Sequence, residues 1–563
     1  MGKYNIAIND LKEMLNKTRE IFAERPAYRV KIAPGEYTVI THKEAREKID
    51  ALGTALIDLG LKNKRIAVIG ENRYEWGITY LATVCGVGTI VPLDKALPEN
   101  ELEDLIKRSE AEAICFSSKY EEMLLRIKNK EISKLKYLIS MDKTSNEQIY
   151  QQSDLIKIGE KLIENGNRSF LDAIINPDEM NIMLFTSGTT AASKVVALSH
   201  KNICSNLMDI QNILDINEED RVLSFLPMHH VFECTTGLLY SLYVGSQISF
   251  CDGIRFIMEN LNEYKITFAC FVPAIYENIY KNIVKNLEKT GKLAVIKMLE
   301  EKYKDATLAE KKEVFKDIHN LFGGEVRLFV SGAAALDKEV AQGFRNWGFN
   351  LCQGYGLTET SPVVVVETEK ECKAGSIGKT LPRVEAKLDN VNDEGVGELL
   401  VKGSNVMLGY YNDDDATREA IKDGWFYTGD LAKIDDDGYI YICGRKKSVI
   451  VLKNGKNIFP EEMETLLNKI EGVKESFVFG KQKSEDAEDI KINAKIIFDR
   501  VAMETLYNVK TDDEIQKLLF NKVKKINEKM PSYKAIRAIV ISEEPLIKTT
   551  TNKIKRKENL ENI

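Results

Sequence analysis

The order of apolar and polar residues in the N-terminal part of the chain predicts strands that alternate with helices. Directly after a capping box at Thr41–Glu44, apolar residues recur at Ile49, Leu52, Leu56 and Leu59, the spacing of one buried helix face. Short apolar runs predict the strands Arg65–Ile69, Ile90–Leu93, Ala113–Phe116 and Tyr137–Ser140. This alternation is typical of an α/β protein, in which helices cover a parallel sheet.

The pattern changes near residue 445, where a smaller α+β unit is predicted. A strand at Val449–Leu452 precedes a helix that starts at Pro460 and ends before Gly472, the usual order of proline and glycine at helix ends. The remaining predicted elements are Ser476–Phe479, Ile490–Phe498, Asp512–Lys529 and Ile536–Ile541. We therefore predict a large multi-sheet domain over residues 1–444, a connection at 445–448 and a small domain over 449–563.

A loop rich in hydroxyl groups separates two apolar runs of the large domain. The runs Ile182–Phe185 and Val195–Leu198 are each short enough to be one buried strand. Between them lie the candidate phosphate-binding residues Thr186, Ser187, Gly188, Thr189, Thr190 and Lys194. Backbone N–H groups, hydroxyls and an ammonium that converge on one point are what a polyphosphate requires.

Two other interpretations of this loop are possible, and the sequence argues against both. A Walker loop needs a second glycine, then lysine and Ser or Thr, before a helix; Ser193 and Val195 stand at two of those positions, and the residues that follow favour a strand. The other interpretation is a plain polar hairpin between two buried strands. The motifs found farther along the chain argue against it.

Composition narrows the class of protein. The chain has 563 residues, of which 44% are hydrophobic and 29% charged, as in a globular protein with ample core. The formal net charge of −7 argues against a nucleic-acid partner. We expect neither a membrane span nor an export signal, and the nine cysteines form no C-x-x-C pair. The prediction is a cytoplasmic protein, for which peripheral membrane contact stays open.

A glycine-rich run, GYGLTET at residues 354–360, follows a short apolar segment. It is predicted to be a loop at a strand end, where the sites of open parallel sheets gather. Tyr355 offers a flat face for a purine, Thr358 a hydroxyl, and Glu359 a hard oxygen ligand for Mg²⁺.

Two charged residues farther along suit a sugar. Asp430 ends the run GWFYTGD, and an aspartate at such a turn can accept hydrogen bonds from both hydroxyls of a ribose; the alternative is an aspartate that caps its own turn. Arg445, fifteen residues later, is a guanidinium that can reach the same sugar.

Three weaker signals complete the set. His230 belongs to an adjacent histidine pair, which is more often a satisfied turn than a catalytic site, although a pocket wall fits equally well. Gly332 and Ala333 follow a predicted strand, and small residues there allow a flat ligand to approach the backbone. The basic tail that contains Lys553 would usually be a solvated terminus or a weak anion site.

Together these motifs resemble those of the adenylate-forming superfamily, which contains acyl-CoA synthetases, peptide-synthetase adenylation domains and luciferases. The loop is similar to the pattern T-S-G-T-T-G-x-P-K-G, with Ala191, Ser193 and Val195 in place of Gly, Pro and Gly. The segments ENRYEW, PMHHVFE, GGEVRLFVSGAAAL and GYGLTETSP resemble the long-chain fatty-acid branch. The resemblance covers about residues 20–560.

The resemblance implies roles for the matched residues. Tyr355 would stack on adenine, Thr358 would contact the α-phosphate, and Glu359 would bind Mg²⁺. Asp430 and Arg445 would hold the ribose.

The resemblance also implies a mobile small domain. Lys553 matches the lysine that bridges carboxylate and phosphate, and Lys447 matches the hinge position of the family. The turn Asn454–Lys456 matches one that approaches the site during thioester formation, so Lys456 is a further candidate for cofactor binding.

The expected activity follows from that resemblance. It is ATP- and Mg²⁺-dependent activation of a fatty acid to acyl-AMP, then transfer to CoA. One alternative is transfer to an acyl carrier protein in trans, or an enzyme that stops at acyl adenylate. The alternative of another class is a regulator that binds nucleotide or acyl adenylate with impaired catalysis, suggested by the altered loop.

Overall fold

The computed structural model describes residues 6–130, 133–186, 193–452, 456–482, 490–549 and 553–563. Its strands are numbered along the chain: β1 Pro26–Ala33, β2 Glu36–Thr41, β3 Lys64–Ile69, β4 Gly88–Pro92, β5 Ala113–Phe116, β6 Tyr137–Ser140, β7 Tyr150–Gln151, β8 Met180–Phe185, β9 Val195–Ser199, β10 Arg221–Ser224, β11 Gln247–Phe250, β12 Phe268–Phe271, β13 Leu328–Ser331, β14 Leu351–Gly356, β15 Val363–Val366, β16 Lys379–Thr380, β17 Val384–Asp389, β18 Gly397–Gly403, β19 Gly409–Tyr410, β20 Ile421–Lys422, β21 Trp425–Ile434, β22 Ile440–Arg445, β23 Ile450–Val451, β24 Asn457–Ile458, β25 Val473–Gln482, β26 Ile490–Phe498 and β27 Ala538–Ser542.

The α-helices are numbered in the same way: α1 Leu11–Phe22, α2 His42–Asp58, α3 Tyr74–Ala82, α4 Glu99–Ser109, α5 Glu121–Asn129, α6 Gln152–Glu164, α7 His200–Ile213, α8 Tyr240–Val244, α9 Ile257–Glu263, α10 Pro273–Lys289, α11 Leu293–Lys302, α12 Leu308–Val314, α13 Lys316–Leu321, α14 Lys338–Asn346, α15 Asp414–Ala420, α16 Pro460–Asn468, α17 Arg500–Tyr507, α18 Asp512–Asn527 and α19 Arg556–Glu561. Wider π-helical turns occur at Thr83–Val87 and Glu233–Leu239.

Two large sheets form the centre of the molecule. The first has nine strands in the order β16-β15-β14-β13-β12-β10-β11-β1-β2, and the second has eight in the order β19-β9-β8-β4-β3-β5-β6-β7. Neighbours are parallel in the middle of each sheet and antiparallel at one or both ends. The α/β class predicted from the alternating pattern is therefore confirmed.

A third sheet and a small C-terminal unit complete the fold. The third sheet contains β17, β18, β20, β21 and β22. Beyond it, β25, β26 and β27 form a three-stranded sheet, and β23 pairs with β24. The apolar cluster of this small unit includes Ile458, Met463, Ile515 and Leu519, and is separate from the clusters of the large sheets.

Local sequence explains several element boundaries. The capping box predicted before α2 is confirmed, because Glu44 N–H donates to the Thr41 hydroxyl (3.1 Å) and Thr41 N–H donates to the Glu44 carboxylate (2.8 Å). The predictions of a loop at Gly354–Gly356 and of a turn at Asp430 are wrong, because both lie in strands. Gly354–Gly356 belongs to β14 because that strand pairs with β15, and Asp430 lies inside β21 instead of at a turn.

Ion pairs connect the small unit to the large one. At the C-terminal end of α16, Lys469 Nζ lies 2.8 Å from Asp337 Oδ2 and 3.2 Å from Glu339 Oε2. Asp337 is also the N-cap of α14, where its carboxylate accepts hydrogen bonds from two backbone N–H groups. This contact holds the small unit against the rim of the nine-stranded sheet.

A close helix contact under the eight-stranded sheet is sensitive to side-chain volume. Gly159 of α6 faces Ala51 of α2 so closely that a Cβ atom on Gly159 would clash with the Ala51 carbonyl oxygen. Only glycine allows the two backbones to approach this far.

We expect Gly159→Ala to lower the free energy of unfolding by about 1–3 kcal/mol, because α2 and α6 must separate to admit the methyl group. Urea denaturation followed by circular dichroism measures the change. The matched control is Ser153→Ala, at an exposed position of the same helix, which should leave stability nearly unchanged. Equal midpoints for the two variants would contradict the packing argument.

Candidate active site

A cleft of about 3500 Å³ opens between the large sheets and the small unit. Most of the described candidate residues line it: Thr186, Lys194, His230, Gly332, Ala333, Tyr355, Thr358, Glu359, Asp430, Arg445, Lys447 and Lys553. Ser187, Gly188, Thr189 and Thr190 lie outside the described residues, as do Asn454 and Gly455.

The Asp430 carboxylate is enclosed in the wall of the cleft, with 4% of the residue exposed. Its Oδ2 accepts a hydrogen bond from the Tyr355 hydroxyl (2.6 Å), and its Oδ1 lies 2.8 Å from Arg445 Nε. Asp430 and Arg445 are directly opposite each other on β21 and β22. Burial raises the pKa of Asp430, and the Arg445 charge opposes that shift.

Glu359 stands at the other side of the cleft in a short 3₁₀ turn, Thr358–Thr360. Its Oε1 accepts a hydrogen bond from the Tyr410 hydroxyl (2.9 Å), and Lys194 Nζ lies 4.3 Å from the centroid of the Tyr410 ring. Strand β19 pairs with β9, so the strand that follows the phosphate loop also positions Tyr410.

An arginine holds the base of the phosphate loop. Thr186 N–H donates to the Lys194 carbonyl (2.9 Å), which closes the loop at its two ends. Arg108 donates to the Ser193 hydroxyl (3.0 Å) and to the Ser193 carbonyl (2.5 Å). Ser193 is one of the residues that depart from the superfamily pattern, and its hydroxyl makes this contact.

His230 lines the cleft as a neutral imidazole. Its Nδ1 accepts a hydrogen bond from Phe232 N–H (3.3 Å), so the hydrogen-bond network assigns the ring proton to Nε2. Burial, and then the neighbouring His229 and Lys553, lower its pKa to about 4. At neutral pH this side chain can donate a hydrogen bond but holds no charge.

Gly332 and Ala333 lie at the end of β13. A Cβ atom on Gly332 would lie 2.7 Å from the Phe232 ring, so the absence of a side chain makes room for that ring. Ala333 has φ +71°, a conformation that costs an L-residue energy and turns the backbone at the cleft wall.

Lys553 reaches the cleft from the small unit. Two hydrogen bonds with Thr549 orient its backbone: Thr549 N–H donates to the Lys553 carbonyl (2.8 Å), and Lys553 N–H donates to the Thr549 hydroxyl (3.1 Å). The residue is exposed to the cleft, yet desolvation by the walls and then the Arg445 charge lower its pKa, against the opposing Asp430 and Glu359 carboxylates.

The hinge candidate Lys447 and the second small-unit candidate Lys456 lie differently. Lys447 occupies the 3₁₀ turn Lys446–Ser448 directly after β22, at the edge of the cleft. Lys456 Nζ is instead packed 4.1 Å from the centroid of the Tyr533 ring, and Lys456 does not line the cleft. The structure therefore brings Lys553, and not Lys456, to the site.

Within the described ranges, no group of three or more His, Cys, Asp or Glu side chains could hold a metal ion. Glu359 contributes one carboxylate beside Tyr410 and Lys194. That donor set fits Mg²⁺, which usually takes one or two protein carboxylates together with substrate phosphates.

Comparison with known proteins identifies the family. The family model for AMP-binding enzymes matches residues 17–411. The family model for the C-terminal domain of AMP-binding enzymes matches residues 447–562. The chain belongs to the AMP-binding enzymes. The first match covers well over half of the chain, and the second begins at the predicted hinge residue, Lys447.

Relatives of this AMP-binding enzyme include fatty-acid ligases. Rat long-chain-fatty-acid–CoA ligase 5 is 30% identical over 79% of this chain and 69% of its own. Long chain acyl-CoA synthetase 3 of Arabidopsis thaliana is 29% identical over 79% and 72%.

Solved structures have the same fold. ATP-bound MatB from Rhodopseudomonas palustris superposes with a TM-score of 0.76 at 22% identity, covering 98% of each chain. O-succinylbenzoate coenzyme A synthetase (MenE) from Bacillus subtilis, in complex with ATP and magnesium ion, gives 0.74 at 21% identity over 97% and 99%.

Sequence reasoning missed two residues of this AMP-binding enzyme that hold predicted ones in place. Tyr410 contacts both Lys194 and Glu359, and Arg108 contacts Ser193. Neither belongs to a motif. The only local signal was the tyrosine pair at Tyr410–Tyr411, which predicts nothing without the pairing of β19 with β9.

We expect Tyr410→Phe to raise the Mg²⁺ concentration for half-maximal pyrophosphate release about tenfold, because a predicted metal-binding carboxylate loses the donor that orients it. Titration with Mg²⁺ at fixed ATP is the measurement. The matched control is Tyr411→Phe, since the Tyr411 hydroxyl contacts Arg65 instead. If both variants keep the wild-type dependence, Tyr410 has no part in orienting Glu359.

Proposed function

We propose that this AMP-binding enzyme is an AMP-forming acyl-CoA synthetase that activates a fatty acid. The observation that carries the proposal is the convergence of Glu359, Asp430 and Arg445 from the large unit with Lys553 from the small one. The family match and the curated fatty-acid ligases support the class of reaction.

In the first half-reaction a carboxylate oxygen of the fatty acid attacks the α-phosphorus of ATP, and pyrophosphate leaves. This transfer depends on positioning and on neutralising charge. Asp430 and Arg445 would hold the ribose, and Lys553 would approach the carboxylate and the α-phosphate. Glu359 would hold Mg²⁺, which supplies positive charge to the phosphates when bound.

In the second half-reaction the CoA sulfur attacks the acyl carbon, the thiol proton goes to solvent, and AMP leaves. Neutral His230 would donate a hydrogen bond at the acyl end of the cleft. Lys553 lines the cleft and Lys456 does not, and a rotation of the small domain about Lys447 would exchange the two.

We expect Lys553→Ala to fail in acyl-adenylate formation but to convert supplied acyl adenylate to acyl-CoA. Lys447→Pro should do the opposite, because proline fixes φ near −65° and would hold one domain arrangement. The half-reactions are measured separately, by pyrophosphate release and by acyl-CoA formation.

Lys553→Arg and Lys447→Ala are the matched controls, because one keeps the charge and the other keeps backbone freedom. Equal losses in both half-reactions for both test variants would contradict the rotation. If the acyl group were transferred to a carrier-protein thiol and not to CoA, the acceptor would be a carrier protein.

The adenylation rate should fall at alkaline pH as Lys553 loses its proton, with a midpoint below the ordinary lysine value of 10.5. Arg445→Gln removes a like charge, so the pKa of Lys553 rises and the protonated form persists to higher pH. The expected result, at saturating ATP, is an upward shift of the alkaline midpoint. An unchanged midpoint would place Arg445 too far from Lys553 to matter, and a lower one would contradict the assignment of the alkaline limb to Lys553.

A further inference from the structure

An apolar pocket leads from the cleft into the large domain. It lies between a helical layer, formed by α7 and the turn that leads into α8, and one face of the nine-stranded sheet. Thr236 and Cys270 are neighbours on its wall halfway down, with the Thr236 hydroxyl 3.9 Å from the Cys270 sulfur. The pocket begins beside His230 and Phe232, where the acyl carboxylate would stand.

The depth of the pocket follows from the elements that line it. Along β12 the lining runs from Val272 to Phe268, four residues or about 13 Å at the rise of a strand. Along the helical turn that contacts β12 it runs from Phe232 to Tyr240, eight residues or at most about 12 Å at the rise of an α-helix. The two elements give a similar depth.

Tyr240, Phe268 and Ile216 close the inner end, each with 1% exposure. In the part of the chain that the structure describes, the Tyr240 hydroxyl makes no hydrogen bond. The charges of buried Asp220 and of its partly exposed ion-pair partner Arg327 act on that hydroxyl. An alkyl chain that passed Tyr240 would therefore meet a charged layer, which is unfavourable for apolar groups.

We propose that Tyr240 is the floor of the acyl pocket and limits the substrate to medium-chain acids. This inference rests on the proposed function. A depth of about 12 Å holds roughly nine or ten carbons, because a C–C bond of about 1.5 Å advances an extended chain by about 1.3 Å. Each buried carbon up to the floor should raise kcat/KM by about fourfold or less.

The first test is a panel of saturated acids from hexanoate to octadecanoate, with acyl-CoA formation as the readout. For the wild-type protein we expect the highest kcat/KM at decanoate, and a value about tenfold or more lower at hexadecanoate. Equal kcat/KM for dodecanoate and octadecanoate would overturn the limit.

Two substitutions should move the limit in opposite directions. Tyr240→Ala removes the floor, so the optimum should move to longer acids by two or more carbons. Cys270→Leu fills the pocket halfway down, so the optimum should move to shorter acids. Tyr240→Phe keeps the ring and should keep the limit; a shift as large as that of Tyr240→Ala would assign the effect to the hydroxyl and overturn the steric argument.

The matched control is Tyr243→Ala, a buried tyrosine one turn farther along α8 that does not line the pocket. Its chain-length profile should match the wild type even if stability falls. If Tyr240→Ala does not fold, Tyr240→Leu with a thermal melting curve gives the same comparison with a smaller cavity.

A wild-type protein that forms no acyl-CoA from any acid would refute the proposed function. A chain-length profile that neither Tyr240→Ala nor Cys270→Leu moves would refute only the role of Tyr240.

Discussion

The burial of one carboxylate, that of Asp430, is the constraint on which the cleft depends. A buried carboxylate without partners costs several kcal/mol, so its neighbours must stay in contact with it. The Tyr355 hydroxyl comes from the nine-stranded sheet and the Arg445 guanidinium from the third sheet. The electrostatic requirement of a single side chain therefore fixes the relative position of two sheets at the site.

Local sequence patterns account for much of the fold. The capping box before α2 and the apolar runs of the parallel strands depend on neighbours in sequence, so they could be predicted. The end of β14 could not, because Gly354–Gly356 becomes a strand through its pairing with β15. The same holds for Asp430, which lies inside β21 because its neighbours pair with β18 and β22.

The residues of the candidate site also fall into those that local sequence predicts and those that it does not. Glu359 and Lys553 stand in short motifs that can be recognised one at a time, although their roles stay predictions. Tyr410 and Arg108 act through residues far away in sequence, and their positions follow only from long-range pairing of strands and helices. The inner end of the acyl pocket is of this second kind, since Tyr240 becomes a floor only when α8 packs over the sheet.

The contact between Lys469 and the pair Asp337 and Glu339 has a consequence for how ions in solution affect the molecule. Exposed ion pairs contribute about 0–1 kcal/mol, and at physiological ionic strength their range is limited to about 8 Å. The contact therefore favours the arrangement that brings Lys553 to the cleft by only a small factor. In the proposed rotation of the small domain, a higher salt concentration would weaken this preference and favour the arrangement without the contact.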